Sequence, residues 1–351
     1  NKERIRKVLQ DEQFLQRHYY WFDSLKRGTK LHFRHAWIAL EKSDIGYRWG
    51  WVQSGMDNTP RGRGRKGELL WMDAVSQQAL SALYIERLAK ELGDKRTAKE
   101  NKALLNKYYW DEKDGFYYDL SEKDTSFVKV RTPAVYWSML AEIPDKGQAE
   151  RLVKYADAPD EFGGKYPWPS VARSDKDYNH EIGDYWRGAV WLPLAYMSTK
   201  ALETYGYYDI AYENSYKLLS QMSETYRTFK PATVWECYSP SAPRPSERQY
   251  KDKRELVRHD FCGWSALGPI SLFIENVLGF YNIDATRDLI EWHKKGQGEQ
   301  GLRNLRFGST ITDIVANGQQ VQVKSNKPYT LKINGKKYRI KEGEQIITIK
   351  P

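Results

Sequence analysis

Nowhere in the 351 residues do 18 apolar residues follow one another, so no segment reads as a membrane-spanning helix and no membrane partner is expected. Cysteine is nearly missing. Cys237 and Cys262 are the whole complement, too few for a disulfide framework or a thiolate metal site, although one bridge between them stays open. Among the six histidines, neither His180 nor His259 has a second ligand at metal spacing, so both read as structural or substrate-contacting and no metal is expected. No Gly-rich phosphate loop and no Ser-centred nucleophile elbow occur, and nothing implies a cofactor. No repeat of 20–50 residues is evident. The chain starts at Asn1 without Met or signal peptide. An excised leader and a missing N-terminal region are both open, and the residues name no compartment.

What the chain has in plenty is aromatic rings. Thirteen Trp and 25 Tyr exceed what a core needs, because each carries a polar tip that favours a half-wet position. Many sit beside Gly, Pro and Asp, as in GYRWGW, KYPWPS, DYWRG and VWECY. A large core accounts for part of them, and a polar cleft walled by rings that stack on sugar faces accounts for the rest. The formal charge is +10, yet the basic residues are interleaved with 46 acids; a nucleic-acid binder would gather them on one face, so no nucleic-acid partner is expected. The one basic cluster, RGRGRKG at residues 61–67, fits a solvated loop as well as an anion contact.

Periodicity predicts a mainly α chain. Apolar Leu69, Met72, Val75, Ala79, Leu83 and Leu88 recur at helical steps over residues 68–92, with Gly93 where a C-cap belongs. Thr132-Pro133 marks a helix start leading into AVYWSMLAEI. Residues 187–205 and 208–226 read as a helical pair parted by Gly206, and residues 261–280 as a final helix, apolar all round and therefore buried. Near residue 305 the pattern switches to strict alternation around Asn334-Gly335, a strong hairpin signal. The expected organisation is a helical domain over 1–303 and a small β module over 304–351.

Two loop carboxyls stand out. Asp57 lies in WGWVQSGMDNTPRGRG between Gly55 and Pro60. DNTP is also a common turn, but behind Trp49 and Trp51 a desolvated Asp on a rigid turn has its pKa raised and suits a general acid. Glu236 lies in VWECYSP between Trp235 and Tyr238. A surface Glu is the plainer reading, but a carboxylate hydrogen-bonded by a Tyr between large rings can activate water. Two such carboxyls about 180 positions apart match the acid and base of glycosidic cleavage. In HEIGDYWRGAVW, Arg187 pairs with rings for sugar contact, while Glu181 and Asp184 are rival acids or serve to orient it. The loop YPWPS, with Tyr166 and Trp168, suits a cleft rim.

The stretches QSGMDNTPR, DGFYYD, YPWPS, YWRGAVW, WECYSP and FCGWSALGP, in that order over residues 53–269, resemble glycoside hydrolases of families 63 and 37, which include processing α-glucosidases, mannosylglycerate hydrolases and trehalases. The resemblance implies an (α/α)6 toroid with a central cleft, a terminal β module, and inversion of configuration. It places the acid at Asp57, the base at Glu236 and sugar contacts at Arg61 and Arg187. Trp51, Gln53, Asn58, Tyr166, Trp168, Trp191, Trp235, Tyr238 and Trp264 complete the expected substrate-binding set, for an oligosaccharide or glycoside cleaved at an α-linked glucose or related sugar. It also tilts the compartment towards export, periplasmic or secreted; the oligomeric state is not legible. Only 56 residues precede Asp57, fewer than the first half of a toroid takes, so the expectation is part of a longer polypeptide or a toroid short of its first helices. The basic loop is unusual for a neutral-sugar enzyme and points to a substrate with a carboxylate or sulfate, or to a lid. The rival functions are a lyase or epimerase on the same toroid, with Tyr238, His180 or His259 as base, and a non-catalytic sugar-binding protein.

Overall fold

The computed structural model describes residues 2–25, 30–33, 36–49, 54–63, 69–93, 103–261 and 263–349. The chain divides into two compact units, one of residues 1–207 and 221–265, the other of residues 208–220 and 266–351.

In the first unit the longest predicted helix forms over Met72–Glu91. It ends where Gly93 takes φ +82°, a left-handed conformation in which a β-carbon would be strained. The helix Lys146–Asp157 starts on a capping box: the Asp145 carboxylate accepts from the Gln148 backbone N–H at 2.8 Å, and the Gln148 side chain accepts from the Asp145 N–H at 2.9 Å. Leu192–Thr204 carries Pro in its first turn and closes on Gly206, after which Tyr208–Thr228 begins. The rings Trp71, Trp168, Trp191 and Trp235 are fully buried, with Tyr109, Tyr117, Tyr118, Tyr136 and Tyr238.

Three expectations are corrected here. The first 130 residues are not all helix and loop. Lys30–Phe33, Ala36–Ser43, Gly46–Trp49, Leu69–Leu70, Asp119–Ser121 and Phe127–Val128 pair in that order as an antiparallel sheet. Most of these strands are two to four residues long, too short for alternation to declare itself. The helix expected after Thr132 is a 3₁₀ turn, Pro133–Val135, and one short α-helix, Tyr136–Leu140, stopped where Glu142 adopts φ +56°. The last helix, Gly268–Val277, is a wide π-helix with Ile270 58% and Phe273 44% exposed; apolar residues on every side do not say which side faces the core.

In the second unit two four-stranded sheets enclose a core of Phe280, Ile290, Trp292, Phe307, Ile314, Val323, Tyr329 and Leu331. Buried and open positions alternate along Thr310–Asn317 and Gln320–Ser325. Strand pairing begins at Asn282, ahead of the alternating segment, and Leu289–Trp292 pairs in parallel with Tyr329–Ile333. Asn334-Gly335 forms the predicted two-residue turn: Ile333 faces Lys336, and φ is +46° at Asn334 and +85° at Gly335. Among the described residues no helix is long and apolar enough to cross a membrane.

Candidate active site

Asp57 sits on a turn whose other residues are fastened down. The Ser54 hydroxyl accepts from the Met56 N–H at 3.1 Å, and the Met56 carbonyl accepts from the Thr59 N–H at 3.0 Å. Met56, Thr59, Pro60 and Arg61 are buried, so Asp57 is left half-buried at the surface of the turn. Burial pushes its carboxyl above the ordinary aspartate range, against the pull of Arg248.

Arg61 holds this turn from beneath. Its side chain is 1% exposed and its N–H groups go to both oxygens of Asp73 and of Asp119, at 2.7–3.0 Å, and to the Met56 sulfur. No N–H remains for a sugar, so the expected substrate contact is corrected to an anchor of the loop. Asn58 is also spent on the chain. Its Nδ2 donates to the Asp184 carbonyl at 2.9 Å and its Oδ1 accepts from the Trp186 N–H at 2.7 Å. The Asp57 turn is thereby latched to residues 184–186.

Glu236, 4% exposed, is framed by bridges. Val190 pairs on one side with Pro169 and on the other with Tyr238, and Tyr238 pairs with Pro245. The Glu236 N–H donates to the Arg258 carbonyl at 3.0 Å, and the Glu236 carbonyl accepts from the Ser265 hydroxyl at 3.0 Å and from Trp264 Nε1 at 3.4 Å. Among the described residues two donors reach the carboxylate itself: the Tyr185 hydroxyl to Oε1 at 3.2 Å and the Arg258 N–H to Oε2 at 3.4 Å. The tyrosine beside this carboxylate is therefore Tyr185, whereas Tyr238 is buried and its hydroxyl accepts from the Trp235 N–H at 3.2 Å.

Tyr185 donates to Glu236 and feels the charge of both carboxyls. Burial first, then the negative charges of Glu236 and Asp57, push its phenol up, so it stays a proton donor. Its ring lies edge-on to Trp191 at 4.7 Å, the Arg248 guanidinium stands 5.3 Å from its centroid, and its carbonyl accepts from Trp191 Nε1 at 3.1 Å. Trp186 and Trp191 stack at 3.9 Å and 3°. Trp264, 42% exposed, lies 6.0 Å from Trp191 and presents the open ring beside Glu236.

The remaining predicted residues divide. Arg187 donates to Asp184 at 3.2 Å, and the other Asp184 oxygen accepts from the Gln249 N–H at 2.9 Å. Asp184 thus orients Arg187, while Glu181 pairs on the surface with Arg254. Trp168, at 0% exposure and φ +66°, is packed edge-on to Tyr136; Trp235 is packed against Phe229; neither ring lines a cleft, which corrects both expectations. Tyr166 is buried as well. Trp51, Gln53 and Cys262 lie outside the described residues, and Cys237 is a buried free thiol. His259 is exposed against Asp260, and His180 lies beside Tyr178. Sequence reasoning passed over Tyr185 and Arg248; the bulky pair in DYWRG was the only trace of the first.

A family model described as the mannosylglycerate hydrolase MGH1-like glycoside hydrolase domain matches residues 29–250. An uncharacterized protein of Borreliella burgdorferi is 27% identical over 95% of this chain and 68% of its own length. The mannosyl-oligosaccharide glucosidase of Saccharomyces cerevisiae is 24% identical over 76% of this chain, which spans 34% of that enzyme. The neutral trehalase of the same yeast shares the fold, with a TM-score of 0.50 at 21% identity over 63% of this chain and 40% of that one.

Proposed function

The chain belongs to the mannosylglycerate hydrolase MGH1-like glycoside hydrolase family, and on that premise we propose that it hydrolyses an α-linked glucoside or related sugar with inversion, in the cleft of an (α/α)6 toroid. Asp57 protonates the leaving oxygen and Glu236 takes a proton from the attacking water. The carbon–oxygen bond breaks as water attacks the anomeric carbon from the opposite face.

One observation carries this reading: the two carboxyls come from loops 179 positions apart in the chain, yet one short segment meets both loops, with Asn58, next to Asp57, bonded to the Asp184 carbonyl and the Trp186 N–H, and the Tyr185 hydroxyl donating to Glu236. Their environments differ as their tasks do. Burial raises Asp57 towards the protonated form an acid needs, while Glu236 is oriented by two donors and backed by Trp264. An inverting pair stands about 6.5–9.5 Å apart, leaving room for the water. Trp264 and Arg187 are the residues we assign to sugar contact, Trp191 being fully buried and stacked on Trp186 and so a support rather than a contact, and residues 1–303 the domain that carries catalysis.

The test uses Asp57→Asn and Glu236→Gln. Each is expected to lower kcat by at least about a thousandfold on a susceptible α-glucoside while binding persists in calorimetry. NMR of the first product anomer is expected to show the β-sugar from an α-glycoside. Turnover left intact in either variant, or a first product of retained configuration, would overturn the reading.

A further inference from the structure

We propose that Tyr185 is the positioning residue for Glu236, and that residues 184–186 form a strut which sets the two carboxyls against each other. This rests on Glu236 being the base.

A glutamate has three rotatable bonds, and a base that must meet one water needs its carboxylate held on both oxygens. The Arg258 N–H reaches one oxygen at a long 3.4 Å. The Tyr185 hydroxyl, at 3.2 Å, is the other donor, and it can only aim if Tyr185 itself is immobile. It is held from every side. Successive residues take left-handed backbone, φ +35° at Asp184 and +62° at Tyr185, a pair that side-chain-bearing residues adopt only under external restraint. The restraints are Asn58 bound to the Asp184 carbonyl and the Trp186 N–H, the Asp184 carboxylate bound to the Gln249 N–H and Arg187, and Trp191 bound to the Tyr185 carbonyl. Asn58 is the neighbour of Asp57. The same short segment therefore receives the loop of the acid at its backbone and touches the base with its side chain. A shift of either loop is transmitted to the other through one rigid turn.

Tyr185→Phe keeps the ring, its edge contact with Trp191 and the backbone, and removes only the hydroxyl. The expected result is a fall in kcat of about ten- to a hundredfold with KM changed by less than about twofold, the size of one hydrogen bond to a charged group. A second measurement asks whether the loss runs through Glu236. In Glu236→Ala, azide supplied in solution takes the place of the activated water: its nitrogen attacks the anomeric carbon, the glycosidic carbon–oxygen bond breaks, and the leaving oxygen takes the proton of Asp57. Adding Tyr185→Phe to that variant is expected to change the azide-supported rate by less than about twofold, because the residue it positions is gone. Where azide gives no rescue, the residual hydrolysis rates of the two variants carry the same comparison. An unchanged kcat in Tyr185→Phe, a loss shared equally by KM, or a full additional loss in the Glu236→Ala background would each overturn the proposal. Undiminished turnover in Glu236→Ala alone would instead sink the assignment of the base, a separate and distinguishable result.

Discussion

Arg248 works against burial at Asp57, and with Asp57 as the proposed acid the balance between them is expected to set the alkaline edge of activity. Burial raises the Asp57 carboxyl, whereas the Arg248 guanidinium draws it back by favouring the charged form. A general acid acts only while protonated, so activity is lost as pH rises through its pKa. Replacing Arg248 by Gln removes the downward pull, Asp57 climbs further, and the alkaline limb of kcat/KM is expected to move to higher pH. Arg248→Lys, which keeps the charge, should leave the limb near its original place. A limb that stays fixed in Arg248→Gln would mean that another group controls it. At this scale Asp57 and Glu236 stand out as candidates because each carboxyl lies among loop-formers and large rings, an uncommon setting for a surface acid. Tyr185 was not. Left-handed backbone at Asp184 and Tyr185 leaves no mark in residue types, and its partner lies 51 positions away.

The turn that carries Asp57 is built on a buried charge cluster. Arg61 lies between Asp73, in the first turn of the helix Met72–Glu91, and Asp119, in the strand Asp119–Ser121. Its guanidinium also stands 4.6 Å from the Trp71 ring centroid. Loop, helix and strand are thus joined by one side chain, and the Met72 N–H completes the cluster by donating to Asp119 at 2.8 Å. Arg61→Met would leave two carboxylates buried without a counter-charge, at a cost of about 3–5 kcal/mol. Urea unfolding at neutral pH is expected to record that loss, and the deficit should shrink as pH falls, since protonation removes the orphaned charges. A variant as stable as the parent would show that the cluster contributes no net stability. Helices such as Met72–Glu91 were legible from their apolar steps, and the hairpin at Asn334-Gly335 from its turn residues. The sheet around Leu69–Leu70 was not, because it pairs two-residue stretches with partners about fifty positions on, Leu69 opposite Ser121, and such pairing is decided by tertiary packing.

Charge over the whole molecule separates what composition reveals from what only the fold decides. The net +10 is plain from the residues, and the basic loop invited the expectation of an anionic substrate. In the fold, Arg61 is neutralised by Asp73 and Asp119, Arg63 meets Asp177 at 3.0 Å, and Arg187 meets Asp184. Each of these arginines has its carboxylate, a pairing that no spacing in the sequence announces. Arg65 and Lys66 of the same loop lie outside the described residues; the three arginines so paired act on a ligand through a field rather than as a bidentate clamp. A field is screened by salt, with a Debye length of about 30 Å at 0.01 M and about 10 Å at 0.1 M, whereas a short buried ion pair is screened far less. Gluconate and glucose, similar in size and differing by one negative charge, separate the two cases as competitive inhibitors. If the field dominates, gluconate inhibition is expected to weaken severalfold between about 10 mM and 300 mM salt while glucose inhibition stays level. Gluconate inhibition that is tight and insensitive to salt would instead place a dedicated cationic contact in the cleft, and neutralising Arg63 and Arg248 in turn would then show which arginine supplies it.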